Sequence, residues 1–558
     1  MRRSKLAAIG IAGALGCGSH DAKPAAKPDD MHDMHAGHDM HAGHVMTEPP
    51  AANKERGAYL EISCGPDAQK QFDRGFWFLH NMDYVSARHT FEQPLASQKA
   101  CAMLSWGVAM TYFQPLWPGQ ATTESLRSGA EAVERARASV EATEKERDYI
   151  AAVAAYYENW EKTDTGARYK SWAAGQKKLA EKYPDDVEAQ AFWALSRLAT
   201  LDKKDKTYAE ALAVADLLQK LRDKRPEHPG LLHYLLHAYD NPAYASKAIG
   251  IAQKYEDVSP DAAHALHMPS HIYVRLGNWQ QVVDWNIKSA TAGLKHPVAG
   301  RVSRDFLHAS DYMIYGYLQM GDDEHAKAAL AKIDPATQYE LNSGPGAYAL
   351  AAAPARFALE RRMWTDAAAL VPRKVDYSWD QYPWAEAVTY AARGLGAARS
   401  GDLKSAEQAL VELDRLKPKI DSPWWKDRLQ IDRDVVAAWI AYGQHDSKQA
   451  EDVMRSASKR EVASGKDSVE PGHVIYATEE LGDLLIELKR PKEALDAFKT
   501  ALEDSPLRFN ALYGAGYAAE LAGMKAEATS YYKQLLANTI GAGARPARAH
   551  ADAYTRSK

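Results

Sequence analysis

Histidines recur at matched positions between residues 228 and 308 of this 558-residue chain. His233 and His267 are 34 residues apart, as are His237 and His271. Within each helix the two histidines are four residues apart, so both imidazoles lie on one helical face. Imidazole is a good ligand for copper, zinc and nickel. The spacing therefore predicts a metal site built from two neighbouring helices.

Further candidate ligands flank these pairs. A metal ion needs three or four ligands at roughly 2.0–2.2 Å, and either acid could instead orient an imidazole. An anionic or peptide ligand held by the imidazoles, or repeat inheritance without chemistry, stays open. The candidate metal-site residues are His233, His237, His264, His267, His271, His308, Asp240 and Asp311.

A second candidate metal-binding element lies near the N-terminus. Five His and four Met occur within the sixteen residues 31–46. Imidazole and thioether together suit copper, because thioethers select Cu(I). A hydrophilic spacer is the alternative. The candidate ligands are Met31, His32, Met34, His35, His38, Met40, His41, His44 and Met46.

The first residues are typical of an export signal. Arg2, Arg3 and Lys5 precede an apolar run from Leu6 to Leu15, which predicts a signal peptide over 1–16. Cys17 then follows a small residue, as in a bacterial lipobox, and would carry a lipid. Ordinary signal cleavage is the alternative. Residues 17–57 are predicted to be a disordered, lipid-anchored linker, because they hold few large apolar side chains. In a cell with two membranes the protein would face the periplasm from the outer membrane.

Two further cysteines, Cys64 and Cys101, complete the set of three. In an exported protein an even pair is more often a disulfide than two thiols. The bridge would join the segments that precede the first two helix pairs.

From residue 58 onward the apolar spacing is helical, and a 34-residue period is visible. Gly482 and Gly516 are one period apart, as are Ala494 and Ala528, and Phe498 and Tyr532. Small residues let antiparallel helices approach, and a ring fills the gap toward the next pair. The clearest copies are residues 68–101, 229–262, 263–296, 475–508 and 509–542.

This unit resembles the tetratricopeptide repeat family. The resemblance implies an all-α superhelical solenoid over 58–542. Residues 543–558 are predicted to be a flexible basic tail. It also implies that the histidines face a concave groove that takes a protein or peptide partner. The opening segment, Cys64-Gly65 through Trp106-Gly107-Val108, resembles uncharacterised bacterial exported lipoproteins with such repeats. The 31–46 segment is similar to Met/His-rich stretches of periplasmic copper-handling proteins.

One proline leaves the local geometry open. Pro269 lies between His267 and His271. A helix that begins near Pro260 would be kinked there, at a cost of roughly 3 kcal/mol. A helix that begins near Pro269 would instead leave His264 and His267 on a loop.

Composition and absent motifs narrow the function. A net charge of −5 gives no basic field for nucleic acid. No HExxH, GxSxG or P-loop sequence occurs, so no catalytic residue is proposed. We therefore expect a binding or scaffold lipoprotein with a metal-related role, with copper favoured and zinc possible. The alternatives are a peptide scaffold without metal and a metal-dependent enzyme.

Overall fold

The computed structural model describes residues 49–557, except for 96–100, 117–120, 203–204, 299, 334–337, 341–342, 376–377, 468 and 541–544. These residues are mostly helical, and within them the only extended pairings are isolated bridges at Val298–Arg301 and Val302–Tyr339. The helices are α1 Pro66–His80, α2 Tyr84–Leu95, α3 Ala102–Met110, α4 Thr123–Arg137, α5 Glu144–Tyr157, α6 Thr165–Lys182, α7 Val187–Ala199, α8 Ala209–Lys224, α9 Pro229–Tyr239, α10 Ile249–Ala252, α11 Tyr255–Val258, α12 Ala263–His267, α13 Pro269–Leu276, α14 Trp279–Lys295, α15 Arg304–Gln319, α16 Asp323–Ile333, α17 Gly344–Leu359, α18 Trp364–Ala368, α19 Pro383–Arg399, α20 Leu403–Leu416, α21 Pro423–Gly443, α22 Ser447–Ser464, α23 Ala477–Glu487, α24 Pro491–Asp504, α25 Phe509–Leu521, α26 Lys525–Asn538 and α27 Pro546–Arg556.

Successive helices pair as antiparallel hairpins, and the first helix of each pair packs on the first helix of the next. The contacts α15–α17, α17–α19 and α19–α21 continue this stacking through the second half of the chain. The fold is therefore an all-α solenoid of tetratricopeptide-like helix pairs. We call the face formed by these first helices the inner face.

The repeated glycines and rings explain the pairing. A Cβ atom on Gly482 would lie 2.6 Å from the Phe498 ring, and one on Gly514 would lie 2.4 Å from the same ring. Phe498 thus fills the space between its own pair and the next. Phe91 does the same between Gly75 and Gly107, where added Cβ atoms would lie 2.6 and 2.7 Å away. Only glycine allows these close approaches.

Helix boundaries follow local sequence signals. Pro229, Pro423 and Pro491 occupy first-turn positions, where a missing N–H costs nothing. Thr143 and Glu146 form a complete capping box at the start of α5. These signals fix where each of these helices begins.

Pro269 breaks a helix that begins before it. The α12 and α13 segments are joined only by Met268, whose backbone is itself helical. Because Pro269 has no N–H, the Ala265 carbonyl accepts instead from the Met268 amide at 3.2 Å. The chain between residues 263 and 276 is therefore one kinked helix, and His264 and His267 are helical rather than on a loop.

Two regions differ from the expected repeats. The second helix of the 229–262 copy is replaced by short segments, including α10 and α11. The predicted flexible tail is instead helical over α27, whose Ala551 is fully buried against the last pair. The Sγ atoms of Cys64 and Cys101 form a disulfide, with an S–S distance of 2.14 Å.

A segment between α22 and α23 crosses the inner face. We call residues 465–467 and 469–476 the crossing segment. The Tyr312 hydroxyl donates to the Glu470 carbonyl at 3.0 Å, and Arg356 donates to the His473 carbonyl at 3.0 Å. Arg428 donates to the carbonyl of Ile475 at 3.3 Å. The face that was expected to be an open groove for a peptide is therefore occupied here by the chain itself.

The last helix pairs contact the middle of the chain. The Trp279 indole donates to the Leu507 carbonyl at 2.9 Å, and the Phe509 amide donates to the Gln319 side-chain oxygen at 2.9 Å. Arg545 forms an ion pair with Asp323 at 2.5 Å. The residues after 505 are thus held against α14–α16 as well as against their own neighbours.

Within the described ranges, no helix combines the length and apolar character needed to cross a membrane.

Candidate metal centre

Six histidines from three stacked inner-face elements come together in one cluster. Helix α9 supplies two, the kinked α12–α13 helix supplies three, and α15 supplies one. We call this set the six-histidine cluster. Its members are His233, His237, His264, His267, His271 and His308.

The rings form a contiguous group with two subsets. The His233 ring lies 5.0 Å from that of His237 and 5.2 Å from that of His264, measured between centroids. The His267 ring lies 4.8 Å from that of His271 and 4.4 Å from that of His308. Within each subset, one nitrogen from each ring lies within 4.8 Å of the others. We call His233, His237 and His264 the first triad, and His267, His271 and His308 the second triad.

The exposure of these rings differs from the sequence-based expectation. We expected imidazoles facing an open groove, but five of the six are buried and only His237 is half-buried. The adjacent helices and the crossing segment exclude solvent from the rings on this part of the inner face.

Three imidazoles are oriented by hydrogen bonds from Nδ1. His233 Nδ1 lies 3.1 Å from the His80 carbonyl oxygen, and His271 Nδ1 lies 3.1 Å from an Asp240 carboxylate oxygen. His267 Nδ1 lies 2.7 Å from the Asn286 side-chain oxygen. The Asn286 amide nitrogen donates to the Val282 carbonyl at 2.6 Å, which fixes its oxygen toward His267. All three partners only accept, so each Nδ1 carries the proton and each Nε2 is left with a bare lone pair.

Two of these bare nitrogens face each other. The Nε2 atoms of His267 and His271 are 3.0 Å apart. With both Nδ1 protons used elsewhere, the neutral rings have no hydrogen to place between the two lone pairs. A cation between them would turn this repulsion into binding.

Burial keeps these rings neutral. It lowers the pKa of both His233 and His308 to about 3. It also holds the pKa of His267 well below the ordinary value, and the His308 and His271 charges add to the effect. The His271 pKa is lowered by burial although Asp240 opposes the shift. Neutral imidazole is the form that binds metal.

The two predicted acids have different surroundings. Asp240 accepts from His271, from Arg275 Nε at 2.8 Å, and lies 3.5 Å from Lys466 Nζ. It therefore orients an imidazole, which is one of the two roles the sequence allowed. Asp311 is fully buried and pairs with Arg356 at 3.0 Å. Its role as a metal ligand stays a prediction, beside this ion pair.

The centre has an aromatic neighbour and an adjacent cavity. The Tyr312 ring lies 4.4 Å from His267 and 5.1 Å from His308, between centroids. A cavity of about 400 Å³ is bordered by His237, Asp240, Arg275 and Lys466, among other residues. The cavity gives a small ion or ligand access to the half-buried His237.

A further buried cluster was not predicted from the sequence. His80 Nε2 and His228 Nε2 each lie 3.1 Å from the same Glu188 carboxylate oxygen. The His228 Nδ1 accepts from the Leu231 amide at 3.3 Å, and His80 Nδ1 lies 2.9 Å from the Tyr234 hydroxyl. We call His80, Glu188 and His228 the Glu188 cluster. Every ring nitrogen in it has a partner.

The sequence carried little signal for this second group. Glu188 is 108 residues from His80 and 40 from His228, and no repeat spacing links them. His228 directly precedes Pro229 and caps α9, which is the local feature that could have indicated a structural role. Asn286 and Lys466 were also missed, for the same lack of spacing.

The remaining candidate residues lie outside the described ranges. These are the lipidation candidate Cys17 and the Met/His ligands of residues 31–46.

Comparison with known proteins adds little. No family model matches the chain, and no curated protein matches it. Among solved structures it is similar to one titled "Crystal structure of APC/C hetero-tetramer Cut9-Hcn1", with a TM-score of 0.33 and 12% identity, over 88% of this chain and 83% of that chain. A similarity of this size carries no argument about function. The class of the protein follows from its own helix pairs: a tetratricopeptide-like solenoid that encloses a cluster of buried imidazoles.

Proposed function

We propose that this protein is an exported metal-binding solenoid whose six-histidine cluster holds copper. The observation that carries the proposal is the approach of His267 Nε2 and His271 Nε2 to 3.0 Å. Two nitrogens bound to one ion at 2.0–2.1 Å with a tetrahedral angle lie about 3.3 Å apart. The two rings are therefore within a small rotation of the geometry of a ligand pair.

The hydrogen bonds around the cluster support the same proposal. Metal-binding histidines usually donate their second ring N–H to a carboxylate or carbonyl, which fixes the ring and raises its basicity. His233, His267 and His271 each have such an acceptor. A protonated ring is the other way to separate the facing lone pairs, and burial beside Arg275 and Lys466 disfavours that added charge.

Copper is favoured over zinc by the composition of the N-terminal segment. Imidazole alone binds either metal, but the methionines of residues 31–46 suit Cu(I). We propose that this segment collects copper outside the cell membrane and that the cluster stores or presents it. Lipidation at Cys17 would keep both elements at one membrane surface.

A protein-interaction scaffold is a second function that the solenoid makes plausible, because repeat folds present extended surfaces. The crossing segment occupies part of the inner face, so a partner would use other surfaces of the solenoid. No catalytic role is proposed.

The test is copper binding by the full chain, measured by elemental analysis after desalting. We expect wild type to bind more copper than the His267→Ala, His271→Ala double variant. Deletion of 31–46 should remove further ions without changing the helical circular dichroism signal. The matched control is His89→Ala, an exposed helical histidine far from the cluster in sequence. Equal copper in wild type and the double variant would refute the proposed site.

A further inference from the structure

The cluster contains more imidazoles than one ion can use. Three or four ligands complete a typical copper or zinc site, whereas six histidines converge here. The two triads share no residue, and each brings one nitrogen per ring within 4.8 Å of the others.

The spacing between rings separates the triads. Across the boundary, the His237 and His271 centroids are 6.1 Å apart, and those of His264 and His267 are 6.3 Å apart. Within the triads, the nearest rings are 4.4–5.2 Å apart. The two groups are thus adjacent but distinct.

Each triad also has its own nitrogen without a hydrogen-bond partner. In the first triad this is His233 Nε2, on a fully buried ring whose Nδ1 is held by a backbone carbonyl. In the second it is His308 Nδ1. A buried polar atom without a partner is unfavourable, because it has lost its hydrogen bonds to water and gained none in the protein. A separate ion in each triad would satisfy both atoms.

We infer that the cluster is a two-metal centre, with one ion on His233, His237 and His264 and a second on His267, His271 and His308. This rests on the proposed metal-binding function and extends it. Three neutral imidazoles leave a fourth position open on each ion. Asp240 is the acid at this centre, and it already faces Arg275 and Lys466. The added charge of two ions therefore calls for a small anionic ligand, such as hydroxide, which can enter through the cavity beside His237.

The first test counts copper ions in the full chain and in matched variants. Differences between variants cancel any copper held by residues 31–46. We expect His264→Gln to lose one ion, His308→Gln to lose one ion, and the double variant to lose two. His89→Gln should lose none. Circular dichroism confirms that each variant is folded.

The second test needs no variant. Anomalous X-ray scattering at the copper edge, from crystals of the full chain, should give two separate peaks, one in each triad. A single peak would overturn the two-metal centre. So would a double variant that loses only the one ion already lost by each single variant. Either result would leave the proposed function standing. No peak in either triad would overturn both.

Discussion

The protein contains two groups of buried histidines that differ in how their hydrogen bonds are completed. In the Glu188 cluster both imidazoles donate from Nε2 to one carboxylate and accept at Nδ1, and the other carboxylate oxygen accepts the Tyr59 amide at 2.8 Å. In the six-histidine cluster, His233, His267 and His271 donate from Nδ1 to acceptors outside the cluster, and the bare Nε2 atoms of His267 and His271 face each other. Burial is common to both groups, so burial alone does not identify a metal site. The informative difference is whether ring nitrogens keep lone pairs that no donor fills. The six-histidine cluster has such nitrogens, and the Glu188 cluster does not.

The strongest test of this difference is to make the same substitution in both clusters and measure the copper affinity of each variant. His308→Leu removes a ligand from the second triad, so copper affinity there should fall by more than about 100-fold, since even residues that only orient a ligand contribute 10–100-fold. His80→Leu should leave copper affinity unchanged. A competition titration with a chelator measures both. An equal loss of copper affinity in the two variants would mean that the hydrogen-bond difference between the clusters does not determine where copper binds.

Stability should respond in the opposite way. His80→Leu leaves the Tyr234 hydroxyl without its partner and removes one donor from Glu188, so the free energy of unfolding should fall by about 3 kcal/mol. His308→Leu replaces a ring whose Nδ1 has no hydrogen bond, so the apo protein should change by less than about 1 kcal/mol. Urea unfolding without metal compares them. A larger loss for His308→Leu would make it a structural histidine.

A third comparison concerns the carboxylates that accept hydrogen bonds from the imidazoles in each cluster. Asp240→Asn weakens the acceptor for His271 Nδ1, and copper affinity should fall about 10–100-fold while the ligand set stays intact. The corresponding change, Glu188→Gln, should leave copper affinity unaffected. If both substitutions left copper binding unchanged, Asp240 would be only an ion-pair partner of Arg275.

The smallest expected effect is in the pH dependence of apo stability. The folded pKa of His308 is about 3, below the unfolded value of 6.5, so its contribution to stability is present above pH 6.5 and is lost as the pH falls toward 3. The His308→Leu substitution removes this titrating imidazole. The free energy of unfolding should then fall less steeply near pH 6.5, by about 0.7 kcal/mol per pH unit, because the unfolded ring is half-protonated there.

The Glu188 cluster should respond in a more acidic range through its carboxylate. Burial opposes ionisation, but the hydrogen bonds from His228 and His80 hold the pKa of Glu188 well below its ordinary value. Its contribution is present above about pH 4.3 and is lost only in stronger acid. Unfolding curves from about pH 6 to pH 2, in wild type and in Glu188→Gln, measure this second window. A difference between them that disappears already near pH 6 would contradict the assignment.

The sequence predicted the parts of this arrangement that depend on the repeat. The glycine and aromatic positions predicted helix pairs, and the structure has the solenoid they imply. The matched histidine spacing identified residues that the structure brings together, because equivalent positions on stacked helices lie at the same height. It did not identify their grouping, since each triad takes members from more than one helix segment.

What the sequence could not predict depends on contacts between distant residues. The rings are buried partly by the crossing segment, which lies about 200 residues further along the chain. Local spacing cannot show that such a distant segment covers them. The ion pair of Asp311 could not be predicted, because its partner, Arg356, belongs to a later helix pair. The Glu188 cluster joins single residues from three elements without a shared period. Such contacts join residues from distant helix pairs, which local spacing does not encode.

The contacts between the last helix pairs and α14–α16 change how the molecule should unfold. An open repeat array can fray from either end, one unit at a time, because each unit touches only its neighbours. Here Leu507, Phe509 and Arg545 are attached to residues near Trp279, Gln319 and Asp323. Loss of the terminal pairs would therefore expose the middle of the chain as well as the end. The array should melt in one cooperative step and fold slowly for its helical content, because contacts between residues 190 to 228 positions apart must form last.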